Sequence, residues 1–172
     1  STTPDFGNAQ ILALTNTDRW PIVMDVSCQN GGFDRTSGDC MAEAWLKAGT
    51  TEDPRGAVAC YSSSTDTPWD EPAVLALGFA HAVASQDALR WGEAALQARA
   101  YLIEEMGSSS PARVQRVLHQ YVQFGDATMM MRTAAPGSLV VDMPIAIPIG
   151  PFDVTMRVTD GTNAVSGALV SA

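Results

Sequence analysis

The chain has 172 residues, of which 46% are hydrophobic and 17% are charged, so it can bury one full domain and part of a second. Its formal net charge of -9 argues against nucleic acid as a partner, because phosphate binding needs clustered basic residues. No membrane span is expected either, since the longest apolar stretch, "PAVLALGFAHAVA", is too short and is interrupted by His81.

The first predicted elements are a helix, a strand and a second helix. The segment "NAQILALTNTDRW" predicts a short helical run that stops at Asn16, and "PIVMDVS" predicts a buried strand of six to seven residues with Cys28 at its C-terminal edge. Asp39 is the expected N-cap of the next helix, which Gly49 ends. Apolar residues recur along that helix with helical spacing at Met41, Ala44, Trp45 and Ala48.

A second buried strand, "GAVACYSS", follows that helix. The order strand, helix, strand predicts a right-handed crossover between parallel strands. Three further helices are predicted: one beginning near Pro72 and running to about Ser85, one from about Ala88 to Met106, and a basic helix in "ARVQRVLHQYVQFGD" that ends near Gln123. The predicted fold class is therefore α/β, with a three-layer sheet flanked by helices.

The pattern changes after "RTAAPG", where short runs rich in Val, Ile, Pro and Gly replace the helical period. "SLVVDMP", "FDVTMRVTDG" and "SGALVSA" predict strands, and "TDGTNA" predicts a hairpin turn. These strands are too few for a whole β-sandwich. We therefore expect an α/β domain over residues 1–135 and the start of a sandwich, truncated at Ala172, over residues 136–172.

Cys28 is the candidate nucleophile among the three cysteines. Catalytic groups collect at the carboxyl ends of strands in open α/β sheets. The glycines of the Asn30–Gly32 loop would let the backbone approach a substrate, and the Cys28 N–H could donate to an oxyanion. The alternative interpretation is that Cys28 is a small buried apolar residue. Cys40, at a helix start, and Cys60, within a strand, are expected to be core residues, while the odd cysteine count leaves the redox compartment open.

Several segments, in chain order, resemble the gingipain family of cysteine endopeptidases, which have a caspase-like fold. "LTNTDRWPIVMDVSCQNGGFD" is similar to the family segment that carries the nucleophile, and "CMAEAWLKAG" to the helix after it. "GAVACYSSSTDTPW" resembles the next strand and its Trp-bearing loop, and "VQFGDATMMMRTAAP" resembles the segment that closes the catalytic domain. The tail resembles the start of the immunoglobulin-like domain that follows in the family.

This resemblance implies roles for individual residues. Cys28 would be the nucleophile, Trp69 would border the pocket for the P1 side chain, and Asp70 would favour a basic P1 side chain. A core position for Trp69, and a solvated Asp70–Glu71 pair at a helix start, are the alternatives. The backbone of the extended substrate would pair with the stretch from Ser62 to Thr67 by β-addition, and the residues concerned are Ser62, Ser63, Ser64 and Thr67.

The family's general base is a His in a Gly-His-Gly type motif upstream of the nucleophile, and here it would precede Ser1. We expect His81, partly buried, and His119, near the surface, to be ordinary helix residues. The implied partners are a protein or peptide substrate and an N-terminal fragment that carries the catalytic His, without which this chain would be inactive. The first residues show no charged and apolar signal segment and the chain does not begin with Met, so Ser1 is expected to be a processing boundary or an artificial start.

The resemblance also implies secretion, with attachment to the cell surface as a further option, and a chemistry that requires no cofactor, although calcium binding is compatible with it. Two functions from other classes stay open. The fold could serve as a catalytically inactive interaction or structural module, which an upstream segment without the His would indicate. The same thiol could also act in a small-molecule hydrolase, which turnover of esters but not peptides would indicate.

Overall fold

The computed structural model of the chain describes residues 6–85, 88, 90–133, 137–144, 146 and 153–167. Contacts divide the chain into two units, with the boundary between Met131 and Arg132. The first unit contains α1 (Asn8–Leu12), β1 (Ile22–Met24), α2 (Met41–Lys47), β2 (Ala59–Ser63), α3 (Asp70–Ala84), α4 (Trp91–Met106), α5 (Pro111–Gln120) and β3 (Tyr121–Phe124).

The sheet of the first unit has the order β1-β2-β3, with β2 in the centre. Strands β1 and β2 are parallel, as the strand, helix, strand order predicts, and Val23 lies opposite Cys60. β1 ends at Met24 and is only three residues long, shorter than the predicted strand. Cys28 therefore lies in the loop beyond the carboxyl end of β1.

Side chains of β2 alternate between two hydrophobic clusters, which places helices on both faces of the sheet. Ala59 and Tyr61 pack with residues of α3, α4 and α5. Cys60 packs on the opposite face with Cys40 and Ala42 at the start of α2. The described residues thus form the three layers that the sequence predicts, and Cys40 and Cys60 are fully buried core residues as expected.

The N-cap of α2 is Cys40, so the prediction of Asp39 is wrong. The Cys40 N–H donates to Glu43 Oε2 at 2.9 Å, so the cap oxygen comes from the third helical residue. This bond holds the pKa of the Glu43 carboxyl below its ordinary value. Asp39 accepts instead from Lys47 Nζ at 2.6 Å. Cys40 is fully buried against Cys60 of the sheet, and α2 begins directly after it.

The predicted extension of the fifth helix to Gln123 is also wrong. α5 ends at Gln120, and the next four residues form β3, antiparallel to β2. Tyr121 packs edge-on against Tyr61 with ring centroids 5.4 Å apart. The aromatic and β-branched residues of this segment therefore gain a strand partner and a core contact that a helix would not give them.

The second unit contains β4 (Val140–Asp142) and β5 (Arg157–Thr159), which pair antiparallel. The predicted turn is confirmed: Asp160 Oδ1 accepts from the backbone N–H groups of Thr162 and Asn163, and these bonds lower the pKa of Asp160. Residues 168–172, which belong to the last predicted strand, lie outside the described residues. Two short strands do not test the predicted sandwich.

Candidate active site

The turn that carries Cys28 is organised by Asp25, a residue that the sequence analysis did not single out. Asp25 Oδ1 accepts from the Ser27 N–H at 2.8 Å, and its Oδ2 accepts from Ser62 Oγ at 3.0 Å. An Asp directly after a strand and two residues before a turn residue is a signal for such an Asx turn. The carboxylate thus fixes the chain between the strand end and the thiol.

The thiol of Cys28 is exposed, so the interpretation of Cys28 as a buried apolar residue is wrong. Its Sγ lies 3.5 Å from the Thr67 N–H nitrogen and 3.7 Å from the Thr67 carbonyl oxygen. Within the described part of the chain the Cys28 N–H donates to no acceptor. An accessible sulfur and a free N–H therefore stand together on this loop, as attack on a carbonyl group requires.

The other two thiols differ from Cys28 in environment. Burial raises the pKa of Cys60 to about 12 and also raises the pKa of Cys40. A thiol reacts as its thiolate and must be reached by the electrophile. Cys28 is thus the one cysteine of the three whose position suits nucleophilic chemistry.

Gly31 and Gly32 are buried against β2 and the loop that follows it. The prediction that their backbone is free to approach a substrate is therefore wrong. The Gly31 N–H donates to the Ser63 carbonyl at 2.8 Å. A Cβ on Gly31 would lie 2.9 Å from the Ser62 carbonyl oxygen, and one on Gly32 would lie 3.2 Å from the Ser64 carbonyl oxygen. These glycines let the Cys28 loop pack directly on the neighbouring backbone.

The prediction that Ser62, Ser63 and Ser64 form an edge for substrate pairing disagrees with their positions. Ser62 and Ser63 are fully buried in the central strand β2, where Ser62 lies opposite Val122 of β3. The Ser64 N–H donates to the Gln120 carbonyl at 2.9 Å. A central strand has no free edge, so only the loop beyond Ser64 can face a substrate.

Trp69 and Asp70 lie where that loop meets α3. Trp69 is the N-cap of α3 and its side chain is 93% exposed, so the interpretation as a core aromatic is wrong. Asp70 is exposed, whereas Glu71 is fully buried and forms no solvated pair with it. Among the described residues Glu71 has no hydrogen-bond partner, and its nearest cation is Arg113, with Nη1 3.8 Å from Oε1.

Neither histidine of the chain contacts the thiol, whose two hydrogen-bond contacts are both with Thr67. His81 lies in the last turn of α3, 5.3 Å from the Tyr101 ring, and is exposed, so the prediction that it is partly buried is wrong. His119 is exposed on α5, as expected. Among the described residues, the candidate nucleophile therefore has no histidine as a hydrogen-bond partner.

Two cavities, of about 630 and 450 Å³, lie away from this loop. The larger is lined by Trp20 and by residues between Leu46 and Val58, and the smaller by Arg99 and Tyr121 among others. Cys28 and Trp69 line neither cavity. The described residues contain no group of three or more acidic, His or Cys side chains that could hold a metal ion, so calcium stays a prediction. No helix in the described ranges is long and apolar enough to cross a membrane.

An exposed thiol after a parallel strand of an α/β sheet defines a candidate cysteine peptidase. The family model of peptidase family C25 matches residues 2–132, and the chain belongs to this family. Gingipain R1 and gingipain R2 of Porphyromonas gingivalis are each 25% identical to the chain over 159 residues. The resemblance to gingipains is thereby confirmed.

The described fold is also similar to solved structures. The arginine-specific cysteine proteinase gingipain R has a TM-score of 0.76 and 23% identity, and the match covers 92% of this chain and 36% of that one. A complex of the pro- and mature domains of RgpB has a TM-score of 0.74 and covers 89% of this chain and 36% of that one. The curated matches cover 84% of this chain but only 14% of gingipain R1 and 20% of gingipain R2.

Proposed function

We propose that this chain is the part of a secreted gingipain-like cysteine endopeptidase that carries the nucleophile, Cys28. The observation that carries the proposal is the exposed Sγ on the Thr67 backbone, beside a Cys28 N–H without an acceptor in the described residues. Membership of a peptidase family supports the same chemistry. The general base is a His upstream of this chain, so the chain alone is inactive.

In the proposed mechanism the Cys28 thiolate attacks the carbonyl carbon of a peptide bond. A carbon–sulfur bond forms, and the carbonyl electron pair moves to the oxygen, which accepts from the Cys28 N–H and from an upstream glycine N–H. The tetrahedral intermediate collapses and the amine leaves with the proton that the upstream His holds. Water, deprotonated by that His, then hydrolyses the thioester, which releases the acid and restores the thiolate.

Substrate binding is proposed for the loop between β2 and α3. Trp69 forms one wall of the P1 pocket, Thr67 lies beside the reacting sulfur, and Asp70 favours a basic P1 side chain by charge pairing. The exposure of Trp69 and Asp70 supports these roles. One similar solved structure is described as arginine-specific, in line with a basic P1 residue.

The remaining proposals concern the rest of the protein. The N-terminal fragment with the His is the proposed partner of this chain, and residues 136–172 begin an immunoglobulin-like domain after a catalytic domain that ends near residue 135. Location outside the cell and calcium binding are proposed on the resemblance to gingipains alone. The match to a complex of pro- and mature domains supports a protein partner.

The test uses the complete protein and a peptide chloromethyl ketone with Arg at P1, followed by mass spectrometry of the labelled peptide. Of the three cysteines of this chain we expect label on Cys28 alone, since Cys40 and Cys60 are buried, and no label on this chain in Cys28→Ala. The same probe with Asp at P1 should label much more slowly. An unlabelled Cys28 in a folded, complete catalytic domain would contradict the proposal and would favour an inactive interaction module.

A further inference from the structure

Gln29, directly after Cys28, has an unusual backbone conformation. Its φ is +61°, in the left-handed region that residues with a Cβ rarely adopt. Such a conformation persists only where the surrounding structure enforces it, and it often occurs next to reacting groups. The contacts that hold Gln29 therefore also decide where the Cys28 sulfur lies.

Gln29 is held through both its backbone and its side chain. Its N–H donates to the Thr65 carbonyl at 3.2 Å, and its carbonyl accepts from Arg35 Nη2 at 2.7 Å. Its amide Nε2 donates to Asp66 Oδ1 at 2.7 Å. The bonds to Thr65 and Asp66 tie the Cys28 loop to the loop that carries Thr67 and Trp69.

The opposite side of that second loop is anchored on α5. Arg116 Nη2 donates to the Asp66 carbonyl at 2.8 Å, and Gln120 Nε2 donates to Thr65 Oγ1 at 2.7 Å. Gln120 is 8% exposed, so water competes little for its bonds. These bonds anchor the backbone of the second loop at Thr65 and Asp66, and the exposed Asp66 carboxylate on that loop accepts from Gln29.

We propose that Gln29 is a positioning residue: its left-handed backbone and its bond to Asp66 hold the Cys28 sulfur against the Thr67 N–H. This inference rests on the proposed function of Cys28 as the nucleophile. Gln29 itself touches no reacting atom. It acts through the two loops, and its loss lets the sulfur and the Trp69 loop move independently.

The test compares Gln29→Ala, Gln29→Gly and Asp66→Ala in the complete protein with a peptide substrate. Gln29→Ala loses the hydrogen bond to Asp66 but keeps a Cβ, so the positive φ stays unfavourable. We expect kcat to fall about tenfold because the nucleophile is misplaced, while KM changes less than twofold. Gln29→Gly tolerates the positive φ and recovers part of this loss. The loss in the double variant Gln29→Ala/Asp66→Ala stays well below the product of the two single losses, because both remove the same bond.

Gln115→Ala is the matched control, since Gln115 is exposed on α5 and its removal should leave kcat unchanged. Two measurements need no peptidase activity: alkylation of Cys28 by iodoacetamide and hydrogen exchange of the Thr67 amide. In Gln29→Ala we expect slower alkylation and faster exchange. If the wild type cleaves no peptide but these two changes occur, the proposed function fails and the positioning role stands. If both rates match the wild type, or if KM alone changes, the positioning role is wrong.

Discussion

Substitution of Gly31 by Ala tests whether the Cys28 loop packs directly on β2. The new Cβ would lie 2.9 Å from the Ser62 carbonyl oxygen and 3.1 Å from the Ser62 carbonyl carbon, about half an ångström inside ordinary van der Waals contact. Both atoms belong to the backbone of the central strand, so the loop itself must move. That movement also stretches the bond from the Gly31 N–H to the Ser63 carbonyl, now 2.8 Å.

Overpacking of this kind costs about 1–3 kcal/mol, so the urea midpoint should fall by roughly 1 M. Tryptophan fluorescence is a suitable probe, because all four Trp residues precede the boundary at Met131. The displaced loop should also change the rate at which iodoacetamide alkylates Cys28. The lower urea midpoint and the changed alkylation rate both follow from displacement of the Cys28 loop, so they should appear together.

The control is Gly137→Ala, because a Cβ on Gly137 would meet no atom within 4 Å. This variant should keep the wild-type urea midpoint and alkylation rate. If the free energy of unfolding of Gly31→Ala is within about 0.5 kcal/mol of the wild type and Cys28 alkylates at the same rate, the contact between the loop and β2 does not restrain Cys28.

Three further predictions concern buried and capping groups. The unfolded thiol of Cys60 ionises near pH 9, and burial raises the pKa of the folded thiol to about 12. Its contribution to stability should therefore fall by about 1.4 kcal/mol per pH unit between pH 9 and pH 12, and urea titrations of Cys60→Ala should show a shallower fall in that window. Arg113→Ala should lower the free energy of unfolding by about 1–3 kcal/mol, because it leaves the Glu71 carboxylate buried and unpaired. Glu71→Met should not lower it, and equal losses in the two variants would contradict this explanation. Hydrogen bonds from Thr128 lower the pKa of Asp126, so the contribution of Asp126 to stability is present above pH 3.8 and is lost as the pH falls through the folded pKa. The melting temperature of Asp126→Asn should therefore depend less on acid than that of the wild type, and an unchanged acid profile would refute this.

The sequence predicted those parts of the fold that depend on local pattern. The strand, helix, strand order gave the parallel pair β1 and β2, and apolar spacing gave α2 to α4 with small shifts at their ends. It failed at Tyr121, where the helical pattern continues but pairing with Ser63 of β2 and packing on Tyr61 produce a strand. Pairing between distant segments overrides local preference because it adds hydrogen bonds and burial together.

The candidate site divides in the same way. The sequence picked out Cys28 by its place after a predicted strand, and Trp69 by the resemblance of its loop to the gingipain family. Only the tertiary structure showed that Ser62 and Ser63 lie in a central strand without a free edge, and only it paired Gln29 with Asp66, because strand neighbours and hydrogen-bond partners depend on segments that are far apart in the chain. Local residue patterns identified Cys28 as a candidate for reaction, and packing across the sheet decided which neighbours hold its loop in place.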